Sequence, residues 1–189
     1  MAGKRTEAGI ARIATRLGVD VAAVKAVIAV ESNGNGFLPD GRPVILYEAH
    51  VFSRETGGVY DDKHPRLSSR TWNRSLYRGG AAEWPRFYQA LQLDPTAAEK
   101  ACSWGLFQIM GFNWRACGEK SLAGFIHAMY HNEDSHLALF AAFIENEGMA
   151  DELRRKDWAG FARQYNGSAY RVNRYDEKLA AAYESARKA

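Results

Sequence analysis

Glu31 is the carboxylate whose place in the sequence carries chemistry. It stands three residues after Ile28, four after Val27 and seven after Val24. On a helix these spacings put it on the apolar stripe itself, in the last turn. A carboxylate there is disfavoured twice, because it shares a face with the core and lies at the negative end of the helix dipole. Both effects raise its pKa and keep a proton on it nearer neutral pH. A glutamate so placed can act as the proton donor of glycoside cleavage. Helix geometry alone is met equally by an exposed terminal Glu or by one paired with an Arg.

Two other constellations suggest chemistry and offer less of it. His127 and His131 are four apart, a spacing that can hold zinc on a helix, but the segment lacks the Glu of H-E-x-x-H. They read as surface or packed histidines, and no metal or other cofactor is expected. Gly34-Asn35-Gly36 has neither the Lys nor the preceding strand of a phosphate loop. Residues 10–30 resemble a helix-turn-helix broken at Leu17-Gly18-Val19-Asp20. The second helix, however, offers Val21-Ala22-Ala23-Val24-Lys25-Ala26-Val27, with one Lys and no bidentate base reader. DNA binding is therefore the weaker reading.

The elements that must position Glu31 are mostly helices. Thr6–Leu17 carries Ile10, Ile13, Ala14 and Leu17 at helical spacing before Gly18, and Asp20 is a good N-cap for the helix that ends in Glu31. Ser32-Asn33-Gly34-Asn35-Gly36 stops that helix. Within Phe37–Phe52, Pro39-Asp40-Gly41 makes a turn and Val44-Ile45-Leu46-Tyr47 is a β-rich run, predicting a small early hairpin or sheet. Thr56–Gly80 reads as a long excursion over the surface. Helices resume near Trp84 and after Asp94-Pro95, then over Ser121–His131, His136–Asn146, Trp158–Tyr165 and Val172–Ala186. The predicted class is α+β, mostly α-helical, with strands confined to the early region.

At 189 residues, 47% apolar and 25% charged, the chain suits a single globular domain over 1–189. The most apolar stretch, Val19–Val30, is short and interrupted by Asp20 and Lys25, so no membrane insertion is expected. Residues 1–16 carry no apolar secretory core. Cys102 and Cys117 match no disulfide framework and read as reduced thiols in or near a core. Trp72, Trp84, Trp104, Trp114 and Trp158 read mostly as core. A net charge of +3 is a weak hint of anionic partners.

Three fragments occur in order: Val27-Ile28-Ala29-Val30-Glu31-Ser32-Asn33-Gly34, Ser103-Trp104-Gly105-Leu106-Phe107-Gln108-Ile109, and Gln164-Tyr165-Asn166-Gly167 with Tyr170. Together they resemble the lysozyme-like superfamily, especially goose-type lysozymes and lytic transglycosylases. With Ile45-Leu46-Tyr47-Glu48-Ala49-His50-Val51-Phe52, the chain over residues 10–185 is more closely similar to the N-acetylmuramidase domain of phage endolysins. The resemblance implies a lysozyme-like fold, Glu31 as catalytic acid, Ser103 and Gln108 on one wall of a sugar cleft, and Tyr165, Asn166 and Tyr170 on the other. Phe107 stands where Met is usual, and Gln164 precedes the Tyr-Asn pair.

In such folds the small sheet faces the end of the acid-bearing helix. Glu48, 17 residues after Glu31 and alternating with Leu46 and His50, could then activate water as general base. A structural salt bridge is its alternative, and Asp40, Asp61 and Asp62 are rival carboxylates. The resemblance thus implies a monomeric peptidoglycan-degrading enzyme without nucleic-acid partners, a single lysozyme-like catalytic domain over 1–189 with no separate cell-wall-binding domain expected. It would be held in the host cytoplasm before lysis and act on the wall once the membrane is opened. A lytic transglycosylase or a non-catalytic glycan-binding protein are the alternatives. A carboxylate mechanism predicts that EDTA leaves wall clearing unchanged; clearing lost on chelation and restored by zinc would make His127 and His131 ligands.

Overall fold

The computed structural model describes residues 3–32 and 34–188; Asn33, part of the stop after the second helix, lies outside the described residues. Side-chain caps decide where the first helices begin. Thr6 accepts the Gly9 N–H at 2.9 Å and opens α1, Glu7–Leu17, which Gly18 closes in the left-handed region at φ 68°. Asp20 accepts the Ala23 N–H at 2.8 Å and opens α2, Val21–Glu31. The stripe predicted for α2 is buried, with Val24, Val27 and Ile28 in the core. α2 packs against α1 and against the final helix, α10 (Tyr175–Lys188). The second helix of the helix-turn-helix reading is thus enclosed by its own chain.

Among the described residues there are ten α-helices and one antiparallel sheet of three short strands, β1 Ile45–Tyr47, β2 Cys102–Trp104 and β3 Ile109–Met110. Ile45, Leu46 and Tyr47 pair with Trp104, Ser103 and Cys102, and Ser103 and Trp104 pair in turn with Met110 and Ile109. The α+β, mostly helical class agrees with the sequence reading. The confinement of strands to the early region does not, because two of the three come from 102–110. Buried Ile45 and Tyr47 carry backbone groups that need partners, and the later strands supply them.

The strand-like run is also corrected at its end. It stops at Tyr47, and Glu48 caps α3, Ala49–Glu55, so Leu46, Glu48 and His50 do not share one strand face. The Glu48 carbonyl accepts the Val51 and Phe52 N–H groups, while its own N–H donates to Ala101. The β preference of Val51-Phe52 loses to burial of Phe52 against Tyr47 and Tyr60.

The remaining helices are α4 (Glu83–Leu91), α5 (Pro95–Lys100), α6 (Leu122–His131), α7 (Glu133–Asn146), α8 (Ala150–Arg155) and α9 (Trp158–Asn166). α7 starts before the predicted His136 because Asn132 caps it, accepting the Ser135 N–H at 2.8 Å. α10 starts after the predicted Val172 because Ser168–Asn173 winds as a 3-10 turn and Arg174 adopts φ 54°. Trp84 and Trp104 meet edge to face at the centre of the core, Trp114 and Trp158 are half-buried, and Trp72 is exposed. Both cysteines are buried free thiols. No helix among the described residues is long and apolar enough to cross a membrane.

The 56–80 excursion runs over the surface as expected and is tied down by buried polar groups. The Tyr47 hydroxyl donates to the Leu67 carbonyl at 2.8 Å, and that of Tyr60 to Leu93 at 2.9 Å. Glu83, fully buried, accepts the Arg78 and Gly79 N–H groups at 2.5 and 2.9 Å and the Arg86 guanidinium at 2.6 Å. Arg86 donates in turn to the carbonyls of Tyr47 and Arg66. One ion pair therefore joins the excursion to β1. Glu83→Ala strands a buried guanidinium and two N–H groups and is expected to cost about 3–5 kcal/mol. Urea denaturation checks this, and a loss below about 1 kcal/mol would show that the pair does not anchor the excursion.

Candidate active site

Glu31 is the last residue of α2, and its chain turns away at once. The Ser32 N–H and hydroxyl both donate to the Ile28 carbonyl, at 3.1 and 2.5 Å, so the helix stops and Glu31 projects from its end. The carboxylate opens on a cleft of about 430 Å³. Its walls are Val30 and Glu31 of α2, the Phe107–Met110 segment with Asn113, and Phe143, Tyr165, Asn166 and Tyr175 from the later helices.

Burial pushes the Glu31 pKa above the ordinary carboxylate range. A hydrogen bond from Asn166 and the charge of Lys178 oppose that rise without cancelling it. The Asn166 amide donates to Glu31 Oε1 at 2.9 Å from the end of α9. Neighbouring Tyr165 donates its hydroxyl to the Phe107 carbonyl at 3.2 Å and stacks on Phe161. Burial, with the Glu31 charge added, pushes the Tyr165 pKa up, so the phenol stays a neutral donor.

The opposite wall depends on Gln108, which holds φ 50°, a left-handed conformation uncommon outside glycine. Its side chain holds the turn in place: Oε1 accepts from the Ser103 hydroxyl at 2.9 Å, and Nε2 donates to the carbonyls of Gly105 and Val44 at 2.9 and 3.3 Å.

Of the residues singled out by sequence, Glu31, Gln108, Tyr165 and Asn166 meet on this cleft. Ser103 is buried behind Gln108. Tyr170 is buried in the 168–173 turn, where its oxygen accepts from Arg171 at 3.1 Å, and Tyr175 takes a place on the wall instead. Glu48 is not on the lining. It accepts a hydrogen bond from the Tyr77 hydroxyl and lies 3.2 Å from His50 Nδ1. As site residues, sequence reasoning missed Val30, Phe107, Ile109, Met110, Asn113, Phe143 and Tyr175. The first four have a local signal, as sequence neighbours of Glu31 and Gln108; the others reach the cleft through long-range packing.

A larger hollow of about 560 Å³ lies beside Phe37 and Asp40. Its carboxylates are already engaged, Asp40 by Arg42 and Glu133 by Lys4 and Arg5, so it lacks an acid free to donate. His127 is exposed, and His131 contacts Ser135 at 3.0 Å. No group of three metal-ligating side chains occurs among the described residues.

Comparison with known proteins bears on this geometry. The family model Muramidase, described as N-acetylmuramidase, matches residues 20–187. Among solved structures, a Burkholderia AP3 phage endolysin is 45% identical with a TM-score of 0.92, covering 98% of this chain and 73% of that one. No curated protein matches.

The raised pKa of Glu31 carries a stability signature. The folded state holds its proton more tightly than the unfolded state does, so Glu31 costs stability as pH rises through its folded pKa. Glu31→Gln keeps the acceptor for Asn166 and removes that cost. The variant is expected to melt about 2–4 °C above the parent at pH 7, for a gain of about 1 kcal/mol, with a smaller gain at pH 4. Thermal melts at both pH values check it, and an equal or larger gain at pH 4 would contradict the assignment of a costly ionised carboxylate.

Proposed function

The chain belongs to the N-acetylmuramidase family, and from that premise we propose that it is a peptidoglycan-degrading endolysin that hydrolyses the β-1,4 bond between N-acetylmuramic acid and N-acetylglucosamine, with Glu31 as general acid. The observation that carries this reading is the half-buried Glu31 on the cleft wall, its pKa raised and one oxygen already engaged by Asn166. Asn166 occupies Oε1, which leaves Oε2 to carry the acidic proton. That proton passes to the bridging oxygen as the bond to the muramic C1 breaks, and the glucosamine leaves with a free 4-hydroxyl. Water adds to C1 and gives a reducing muramic end. Gln108, Tyr165 and Asn166 line the sugar cleft, while Ser103 acts through Gln108 and Tyr170 supports the turn behind the wall.

Glu48 enters the proposal as the second carboxylate, taking the proton of the attacking water. One observation favours a second reading. Among the described residues Glu31 is the one carboxylate on the cleft lining, and Glu48 is committed to Tyr77 and His50. A single carboxylate suits a lytic transglycosylase, in which the muramic 6-hydroxyl attacks C1 and leaves a 1,6-anhydro end. In either case we infer a monomer without a cofactor, held in the host cytoplasm and acting on the wall once the membrane is opened. The likeness to a phage endolysin supports the action on the wall.

Two measurements test the proposal together. Glu31→Gln is expected to lose wall-clearing activity by about 10²–10⁴-fold, and Glu48→Gln by about a hundredfold, as for removal of a general acid or base. Borohydride reduction and mass spectrometry of the released muropeptides should find reducing muramic ends. Anhydro ends with an active Glu48→Gln variant would establish the transglycosylase. A fully active Glu31→Gln variant of native circular dichroism would sink the acid assignment.

A further inference from the structure

Behind the cleft, α7 turns two buried polar side chains toward both of its walls. Glu133 and His136 are fully buried and three residues apart. Glu133 Oε1 accepts the Gly36 N–H at 2.8 Å, and Oε2 accepts the Arg5 N–H and guanidinium at 3.2 and 3.0 Å. The same guanidinium donates to the Gly34 carbonyl at 3.2 Å. The backbone held this way begins three residues after Glu31.

His136 lies between that backbone and the Gln108 turn. It stacks on Phe37 with ring centres 4.9 Å apart. A Cβ on Gly36 would come within 2.5 Å of its Nδ1, and one on Gly105 within 2.8 Å of its Cε1, so both glycines are bare where the ring sits. Its Nδ1 accepts the Leu106 N–H at 3.2 Å, and its Nε2 donates to the Met129 carbonyl at 2.8 Å. That pattern assigns the neutral Nε2–H tautomer. Val44 joins the two glycines on the other side. Its N–H donates to Gly36 at 2.9 Å, and its carbonyl accepts from Gly105 at 2.8 Å and from the Gln108 side chain.

A purely apolar side chain could fill this space, but it would leave the Leu106 N–H unpaired in the core. We propose that His136 is a positioning residue for glycoside cleavage. By accepting the Leu106 N–H and wedging between Gly36 and Gly105, it sets the Gln108 turn against the Glu31 end of α2, and Glu133 clamps the Glu31 side. The inference rests on Glu31 being the acid.

Asn and Gln substitutions separate the two hydrogen bonds of the ring. In His136→Asn the amide oxygen falls near Nδ1 and can still accept from Leu106; in His136→Gln the amide falls near Nε2 and keeps only Met129. Turnover and KM are measured on solubilised glycan strands, with Leu106 amide exchange, circular dichroism and Glu31→Gln in parallel. His136→Asn is expected to keep kcat within about fivefold and Leu106 protected. His136→Gln should lose about a hundredfold in kcat, the scale of a displacement of about 1 Å, with KM changed far less and Leu106 exchanging faster. Folded variants that lose kcat equally, or both keep it, would reduce His136 to a filler of volume and overturn the proposal. Should His136→Gln not fold, a folded His136→Asn as slow as Glu31→Gln overturns it alone. An active Glu31→Gln variant would sink the acid assignment, and the Leu106 exchange rates would still report whether the imidazole holds the turn.

Discussion

A carboxylic acid that is to hand its proton to a sugar, as we propose for Glu31, has to stand half out of water, and one hydrogen bond here fixes where. Asn166 donates to Glu31 across 135 residues of chain. The bond forms only if the end of α2 and the end of α9 arrive together. α10, which packs on both helices, brings them there. Burial of Val24, Val27 and Ile28 stabilises the fold by about 1.5–3 kcal/mol each. That is the reserve against which an uncomfortable carboxylate in the same helix can be carried. Because the proposed proton donor rides on a core helix, the geometry of the cleft and the stability of the fold depend on the same contacts.

Glu31, Glu83 and Glu133 are each withdrawn from water, and their surroundings give them different work. Burial pushes the Glu133 pKa up, but the N–H groups of Gly36 and Arg5 and the charges of Lys4 and Arg5 outweigh it. The net position is below the ordinary range, so Glu133 is a fixed anion. Glu83 is likewise surrounded by donors and serves as a tie. Glu31 receives one amide bond and a distant lysine, and burial wins. Residue type does not separate an acid from an anchor; the number of donors aimed at each carboxylate does.

What the sequence revealed followed the range of the interaction involved. Helix periodicity and caps are local, so the stripe ending in Glu31 and the starts set by Thr6, Asp20 and Asp94 could be read directly. The end of β1 could not. Leu46, Glu48 and His50 alternate as a strand would, and only packing of Phe52 on Tyr47 and Tyr60 turns the chain into α3. The sheet partners at 102–110 were hidden because strands of two or three residues carry almost no periodic signal of their own. In the cleft, Gln108, Tyr165 and Asn166 came from ordered motifs. Ser103 came from the same motif yet sits behind the wall, because a sequence pattern does not distinguish a residue that lines a cleft from one that holds the lining.

The last connection is made by one face of α7. Glu133, His136, Phe140 and Phe143 follow at three-, seven- and ten-residue offsets, which lie on one side of a helix. Glu133 holds the backbone after Glu31, and His136 holds the turn before Gln108. Phe140 stacks on Phe107 with ring centres 4.1 Å apart and meets the edge of Tyr165, and Phe143 reaches the cleft beside the same tyrosine. Phe107, in the place where Met is usual, therefore has a flat partner waiting for it, and its carbonyl receives the Tyr165 hydroxyl. The walls come from segments spread over more than a hundred residues of chain, but each leans on the same rigid rod. A displacement of α7 would move the Glu31 end of α2, the Gln108 turn and the aromatic wall together, so their relative positions survive motions that would separate independently mounted loops.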